Sequence, residues 1–92
     1  MPRLLENLQP GTPVRGANGE IAGEVRAAYG SGKAQMAVYL LVFWTARGEE
    51  TLIPTDEVMS ITEEGVILRS NASTYADLPA FQPSANPLLH KL

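Results

Sequence analysis

Apolar residues recur at every second position along much of this chain, in short runs broken by Gly, Pro, Asn and acidic clusters, which is how strands and tight turns are written. Pro10-Gly11 closes a short leader, and Pro13-Val14-Arg15 reads as a brief strand, a place where proline is tolerated. Gly16-Ala17-Asn18-Gly19 is a turn, because Asn-Gly readily takes the positive φ that hairpin turns demand. From 21 to 29 the chain alternates, with Ile21, Gly23, Val25 and Ala27 on one face and Glu24 and Arg26 on the other. A glycine inside that strand, Gly23, predicts a bulge or a sharp bend. Gly30-Ser31-Gly32-Lys33 is a loop tip.

The strand over 36–45 is the most informative stretch. Met36, Val38, Leu40, Val42 and Trp44 point one way, and Ala37, Tyr39, Leu41 and Phe43 point the other. Both faces are apolar, so both need cover. One face can fill the interior of a barrel. The other must meet a helix, the C-terminal tail or a second copy of the chain, and the sequence leaves self-association and burial under a helix at 74–78 with Tyr75 and Phe81 equally open.

Ala46-Arg47-Gly48-Glu49-Glu50 is the next turn, followed by a short strand, Thr51-Leu52-Ile53-Pro54, and one helical turn, Thr55-Asp56-Glu57-Val58, with Thr55 as its cap. Met59-Ser60-Ile61 and Val66-Ile67-Leu68 form a hairpin across Thr62-Glu63-Glu64-Gly65. Thr74-Tyr75-Ala76-Asp77-Leu78 has capping-box spacing between Thr74 and Asp77 and ends at Pro79, which predicts a short helix. The tail carries Pro83 and Pro87 and is expected to lie extended, with Leu88, Leu89 and Leu92 docked. The expected organisation is therefore a leader at 1–9, a domain at 10–81 and a tail at 82–92.

Composition narrows the function more than it names it. Ninety-two residues, 45% apolar and 18% charged, suit one small folded core. The net charge of −3, from 10 acidic and 7 basic residues, lacks the basic surplus of a phosphate-backbone binder, so a nucleic-acid partner is disfavoured. With no cysteine, disulfides, thiolate metal sites and cysteine nucleophiles are excluded. The longest apolar run, 36–44, is about half of what a membrane-spanning helix requires, and Glu6 interrupts the N-terminal run, so a cytoplasmic protein is expected. Asn71-Ala72-Ser73 fits a glycosylation acceptor only by pattern.

Two motifs, taken in order, carry a likeness. Gly11-Thr12-Pro13-Val14 followed by Ala17-Asn18-Gly19-Glu20-Ile21-Ala22-Gly23-Glu24-Val25 resembles the opening hairpin of PRC-barrel domains. Thr51-Leu52-Ile53-Pro54-Thr55-Asp56-Glu57-Val58, then Ile61 and Val66-Ile67-Leu68, is similar to the ending of that family's domain. The resemblance covers about residues 8–69. The family includes the cytoplasmic domain of the photosynthetic reaction-centre H subunit and the C-terminal domain of a ribosome maturation factor. It implies a compact six-stranded β-barrel that works as an adaptor without catalysis, and it carries no set of functional residues to transfer. Both of those members attach the barrel to other domains.

The residues themselves supply no catalytic constellation. His90, the one histidine, stands near the C-terminus and reads as an ordinary exposed side chain. Glu49, Glu50, Asp56, Glu57, Glu63 and Glu64 fall in or beside turns, where solvent keeps carboxylates ionised and unsuited to acid–base pairing. Gly30-Ser31-Gly32-Lys33 lacks the spacing, the following Ser or Thr and the helix of a phosphate-binding loop. The serines have no histidine partner. No catalytic residue, cofactor or metal is expected.

The expectation is a mostly β fold: a small six-stranded PRC-barrel-like β-barrel with one short C-terminal helix and an extended tail. The expected function is a non-enzymatic protein-interaction module that self-associates as a homodimer, with Tyr39, Leu41, Phe43, Trp44, Tyr75 and Phe81 as the candidate interaction surface, since aromatics concentrate interface energy. One alternative is a ribosome- or RNA-associated role using Arg15, Arg26, Lys33, Arg47 and Arg69 as a basic patch. The other is a small-ligand binder, which needs a polar-lined cavity that Val, Ile and Leu do not provide.

Overall fold

Strands written by alternation become a sheet once turns set them side by side, and here seven do so. β1 (Pro13–Arg15), β2 (Ile21–Ser31), β3 (Tyr39–Trp44), β4 (Glu49–Pro54), β5 (Val58–Thr62) and β6 (Gly65–Leu68) run in the order β4-β3-β2-β1-β6-β5. β7 (Leu89–Lys91) pairs with β2 off that path. All neighbours are antiparallel except β1 and β6, which pair parallel at Val14–Val66 and Arg15–Ile67. The computed structural model describes residues 9–31, 37–75, 78, 80–81 and 89–91. Among them no helix is long and apolar enough to cross a membrane.

β4 and β5 stand at opposite ends of the strand order, yet only a 3-10 turn, Thr55–Glu57, separates them in sequence. Four Cα–Cα steps span at most about 15 Å. The sheet therefore curls until its two edges approach at that end, although no ladder joins β4 to β5 among the described residues. Its concave face holds Val14, Val25, Leu40, Val42, Trp44, Ile53, Val66, Leu68 and Tyr75, all buried.

The doubly apolar strand is resolved into two environments. Leu40, Val42 and Trp44 sit opposite Ala28, Val25 and Gly23 of β2, facing the core. Tyr39, Leu41 and Phe43 sit opposite Tyr29, Ala27 and Glu24 on the outer face. Leu41 and Ala27 are nonetheless buried within the single chain, 6% and 8% exposed. Phe81 lies on this face, its ring 5.4 Å from that of Tyr29 and its N–H donating to the Glu50 carbonyl of β4. Arg26 covers Phe43, with its guanidinium 4.5 Å from the ring centre.

Three details depart from the sequence reading, and a fourth is refined. Ala27 does not share a face with Val25, because the register slips between them and one extra residue turns Ala27 outward. The irregularity expected at Gly23 is present beside it, where β2 slips register against β1 between Ile21 and Gly23. Glycine is further required by the close approach of β3, since a Cβ there would stand 1.9 Å from the Phe43 carbonyl oxygen. The expected C-terminal helix from Thr74 to Leu78 is absent among the described residues. In its place is one 3-10 turn, Ala72–Tyr75, closed by Thr74 N–H bonding to the Asn71 carbonyl. So few residues before Pro79 cannot repay the cost of an α-helical nucleus, and burial of Tyr75 fixes the tighter turn instead. Thr55 makes no capping bond, and Pro54 occupies the cap position of its turn.

The last described residues are not a loose appendage. β7 continues the edge that β1 begins, pairing Tyr29, Gly30 and Ser31 of β2 with Lys91, His90 and Leu89. The leader at 1–8, the 32–36 loop with Lys33 and the 82–88 segment, together with Leu92, lie outside the described residues, as does the His90 side chain.

Candidate functional site

Where β2 begins, its first residue overhangs the sheet. Ile21 does not keep the inward parity of Gly23 and Val25, because β2 slips register against β1 between Ile21 and Gly23, and β3 ends at Trp44, opposite Gly23. It pairs only with Arg15 of β1 and remains 61% exposed. That overhang forms one wall of a depression of about 610 Å³, open to solvent on one side. Trp44, Ala22 and Ala72 lie beneath, Ala46 and Arg47 of the β3–β4 turn form the second wall, and Asn71 and Ser73 the third.

The walls are held by hydrogen bonds among themselves rather than by the depression's contents. Asn18 N–H donates to Asn71 Oδ1 (3.0 Å), and Asn18 Oδ1 accepts from Glu20 N–H (3.2 Å). Ala17 N–H reaches the Ser70 carbonyl, and Thr45 N–H the Ala22 carbonyl, each at 3.1 Å. Three chain segments distant in sequence are thus locked together, so the hollow is formed before anything occupies it.

Beneath it lies an aromatic pair. Trp44 and Tyr75 stack with ring centres 5.8 Å apart and planes 13° from parallel. Trp44 Nε1 donates to Thr51 Oγ1 at 2.6 Å, inside a fully buried environment, and Tyr75 Oη donates to Glu57 Oε1 at 2.9 Å. Arg47 reaches the Tyr75 carbonyl as well (3.3 Å), so the stretch around Tyr75 lies across the gap between the β3–β4 turn and the start of β5. Burial first, and the neighbouring Glu57 carboxylate second, push the Tyr75 phenol above its ordinary value of 10.0, with Ser70 partly opposing.

A raised folded-state pKa means that the unfolded chain ionises first. The contribution of Tyr75 is then fully present below pH 10.0 and lost as pH climbs through the higher folded value. Urea midpoints followed from neutral to strongly alkaline pH are expected to fall more steeply for the native chain than for Tyr75→Phe. Parallel decline of the two would show that the phenol is not held as described.

The six residues singled out by sequence divide between the two faces. Tyr39, Leu41, Phe43 and Phe81 belong to the outer face, whereas Trp44 and Tyr75 are turned into the core, 3% and 4% exposed. Of the expected cover over the outer face, Phe81 is there and Tyr75 is not. The described arginines are each engaged within the chain. Arg15 donates to the Glu64 and Gly19 carbonyls, Arg69 to the Asp56 carbonyl, and Arg47 to Glu49. Arg26 lies against Phe43 and beside Glu24. The turn carboxylates are exposed as expected, apart from half-buried Glu57, which holds Tyr75.

Ile21, Asn18, Glu20, Asn71 and Ser73 had no place in the sequence-based site. Each sits beside a turn and reads there as a solvated residue. No sequence signal brings 18–22, 44–47 and 71–73 together, since that depends on β1 pairing with both β2 and β6. Compared with models of known protein families and with curated proteins, the chain finds no match in either.

Proposed function

We propose that this chain is a non-enzymatic protein-interaction module built on a PRC-barrel-type sheet, and that it receives its partner in the depression beside Ile21. The observation that carries this reading is the bare Ile21 side chain, which lines a pre-formed hollow together with Trp44. A large apolar side chain left exposed in a walled, concave place marks an interaction site better than scattered surface apolar residues do. The barrel itself is supported by the curl of the sheet and by where the motifs fall. Asn18-Gly19 forms the β1–β2 turn, and Leu52-Ile53-Pro54 closes β4.

Peptide display tests this directly. A random library panned on the native protein is expected to return sequences whose affinity falls at least about tenfold on Ile21→Asp, as losing a buried isoleucine contact of this size requires. Because Ile21 is exposed, the substitution leaves the fold intact, which the circular dichroism spectrum verifies. Recovery of no binders, or of binders indifferent to Ile21→Asp, would refute the reading.

A further inference from the structure

The depression carries information about the charge of what it receives. Two ionised side chains line it, Glu20 and Arg47. Arg47 is already neutralised, since its guanidinium meets Glu49 at 2.7 Å and also donates to the Tyr75 and Leu78 carbonyls. Glu20 has no cationic partner among the described residues; its backbone is fixed by Gly16 and Asn18, while its carboxylate stands at the rim, exposed. The remaining polar groups at the mouth, Asn18, Thr45, Asn71 and Ser73, are uncharged. The hollow thus offers an apolar floor and one uncompensated negative charge, in a protein whose own net charge is −3.

We infer that the partner is a protein segment that places an aliphatic side chain in the depression and a lysine or arginine beside Glu20. The inference rests on the interaction reading above and specifies its occupant. The apolar part of the lining, Ile21, Ala22, Trp44, Ala46 and Ala72, suits an aliphatic side chain. The neutral amides and hydroxyls around it suit the peptide groups on either side. The open mouth favours a segment presented by a larger molecule over a small ligand, which a pocket ordinarily encloses over most of its surface. An acidic neighbour would meet Glu20 with like charge and no compensating cation.

Two capped tetrapeptides, acetyl-Gly-Leu-Lys-Gly-amide and acetyl-Gly-Leu-Glu-Gly-amide, separate the parts of this claim. They are titrated into the full chain and followed by amide chemical shifts together with fluorescence of Trp44, the only tryptophan. The Lys peptide is expected to shift Ile21, Ala22, Ala46 and Ala72 and the Trp44 indole N–H, and to bind about fivefold more tightly than the Glu peptide, a preference typical of one exposed charge pair. Glu20→Gln is expected to abolish the difference and leave the Leu-dependent shifts in place. Equal binding of both peptides, or a preference that survives Glu20→Gln, would overturn the charge assignment while leaving the docking site standing. Absence of shifts at these residues with either peptide would overturn the site, and the charge assignment with it.

Discussion

Gly23→Ala is expected to cost at least about 3 kcal/mol of stability, a large share of what the chain has. The added Cβ would stand 1.9 Å from the Phe43 carbonyl oxygen and 2.9 Å from its carbonyl carbon, both backbone atoms held in the β2–β3 ladder. Neither atom can rotate away as a side chain would. Relief requires β2 and β3 to separate at the Gly23–Trp44 pair, which also loosens the indole from the core. Overpacking of a core ordinarily costs about 1–3 kcal/mol, and a clash with rigid backbone stands at or beyond the top of that range. A chain of this length holds only about 5–14 kcal/mol of stability in all. Gly48→Ala is the control: it adds a Cβ to open space in the β3–β4 turn and suffers only its φ of 67°, so a loss of about 1 kcal/mol is expected. Urea denaturation of the two variants decides the matter, and similar midpoints for both would contradict the close approach.

The second large effect concerns Trp44. Trp44→Ala is expected to cost about 3–5 kcal/mol, because it empties the space between the sheet and Tyr75. Thr51→Val removes no volume, yet it is expected to cost about 1–3 kcal/mol, since the buried indole N–H then has no acceptor. The two losses are coupled. Trp44→Phe needs no acceptor, so adding Thr51→Val to Trp44→Phe is expected to cost much less than Thr51→Val alone. Additive losses in guanidinium denaturation would mean that the indole–hydroxyl bond contributes nothing.

The alternation of side chains made β1, β2 and the β5–β6 hairpin legible, since a polar face against an apolar one fixes both the strand and its inward side. It failed where parity depends on something other than spacing. Ala27 looks inward by counting from Val25, and a single unpaired residue reverses it. Ile21 looks like core by the same count, but β2 slips register against β1 between Ile21 and Gly23, and Ile21 comes to lie opposite Arg15. Thr74 and Asp77 carried the spacing of a helix cap, a local preference that burial of Tyr75 overrode. The depression was invisible for a different reason. Its three walls are turns, each of which reads alone as wet and unremarkable, and their chemistry exists only in combination.

That combination hangs on three residues. β1 forms the only ladders among the described residues that tie the β2–β3–β4 meander to the β5–β6 hairpin, and it does so through Val14 meeting Val66 across most of the chain's length. β1 meets β2 across the short turn at 16–20, so the β1–β2–β3–β4 meander and the β5–β6 hairpin are local structures that can close quickly, whereas pairing β1 with β6 must wait for a long loop to close. Neither half can bury its apolar face before that happens. The β1–β6 ladder is therefore the seam expected to close last, and the same short strand decides whether the two halves melt together or apart.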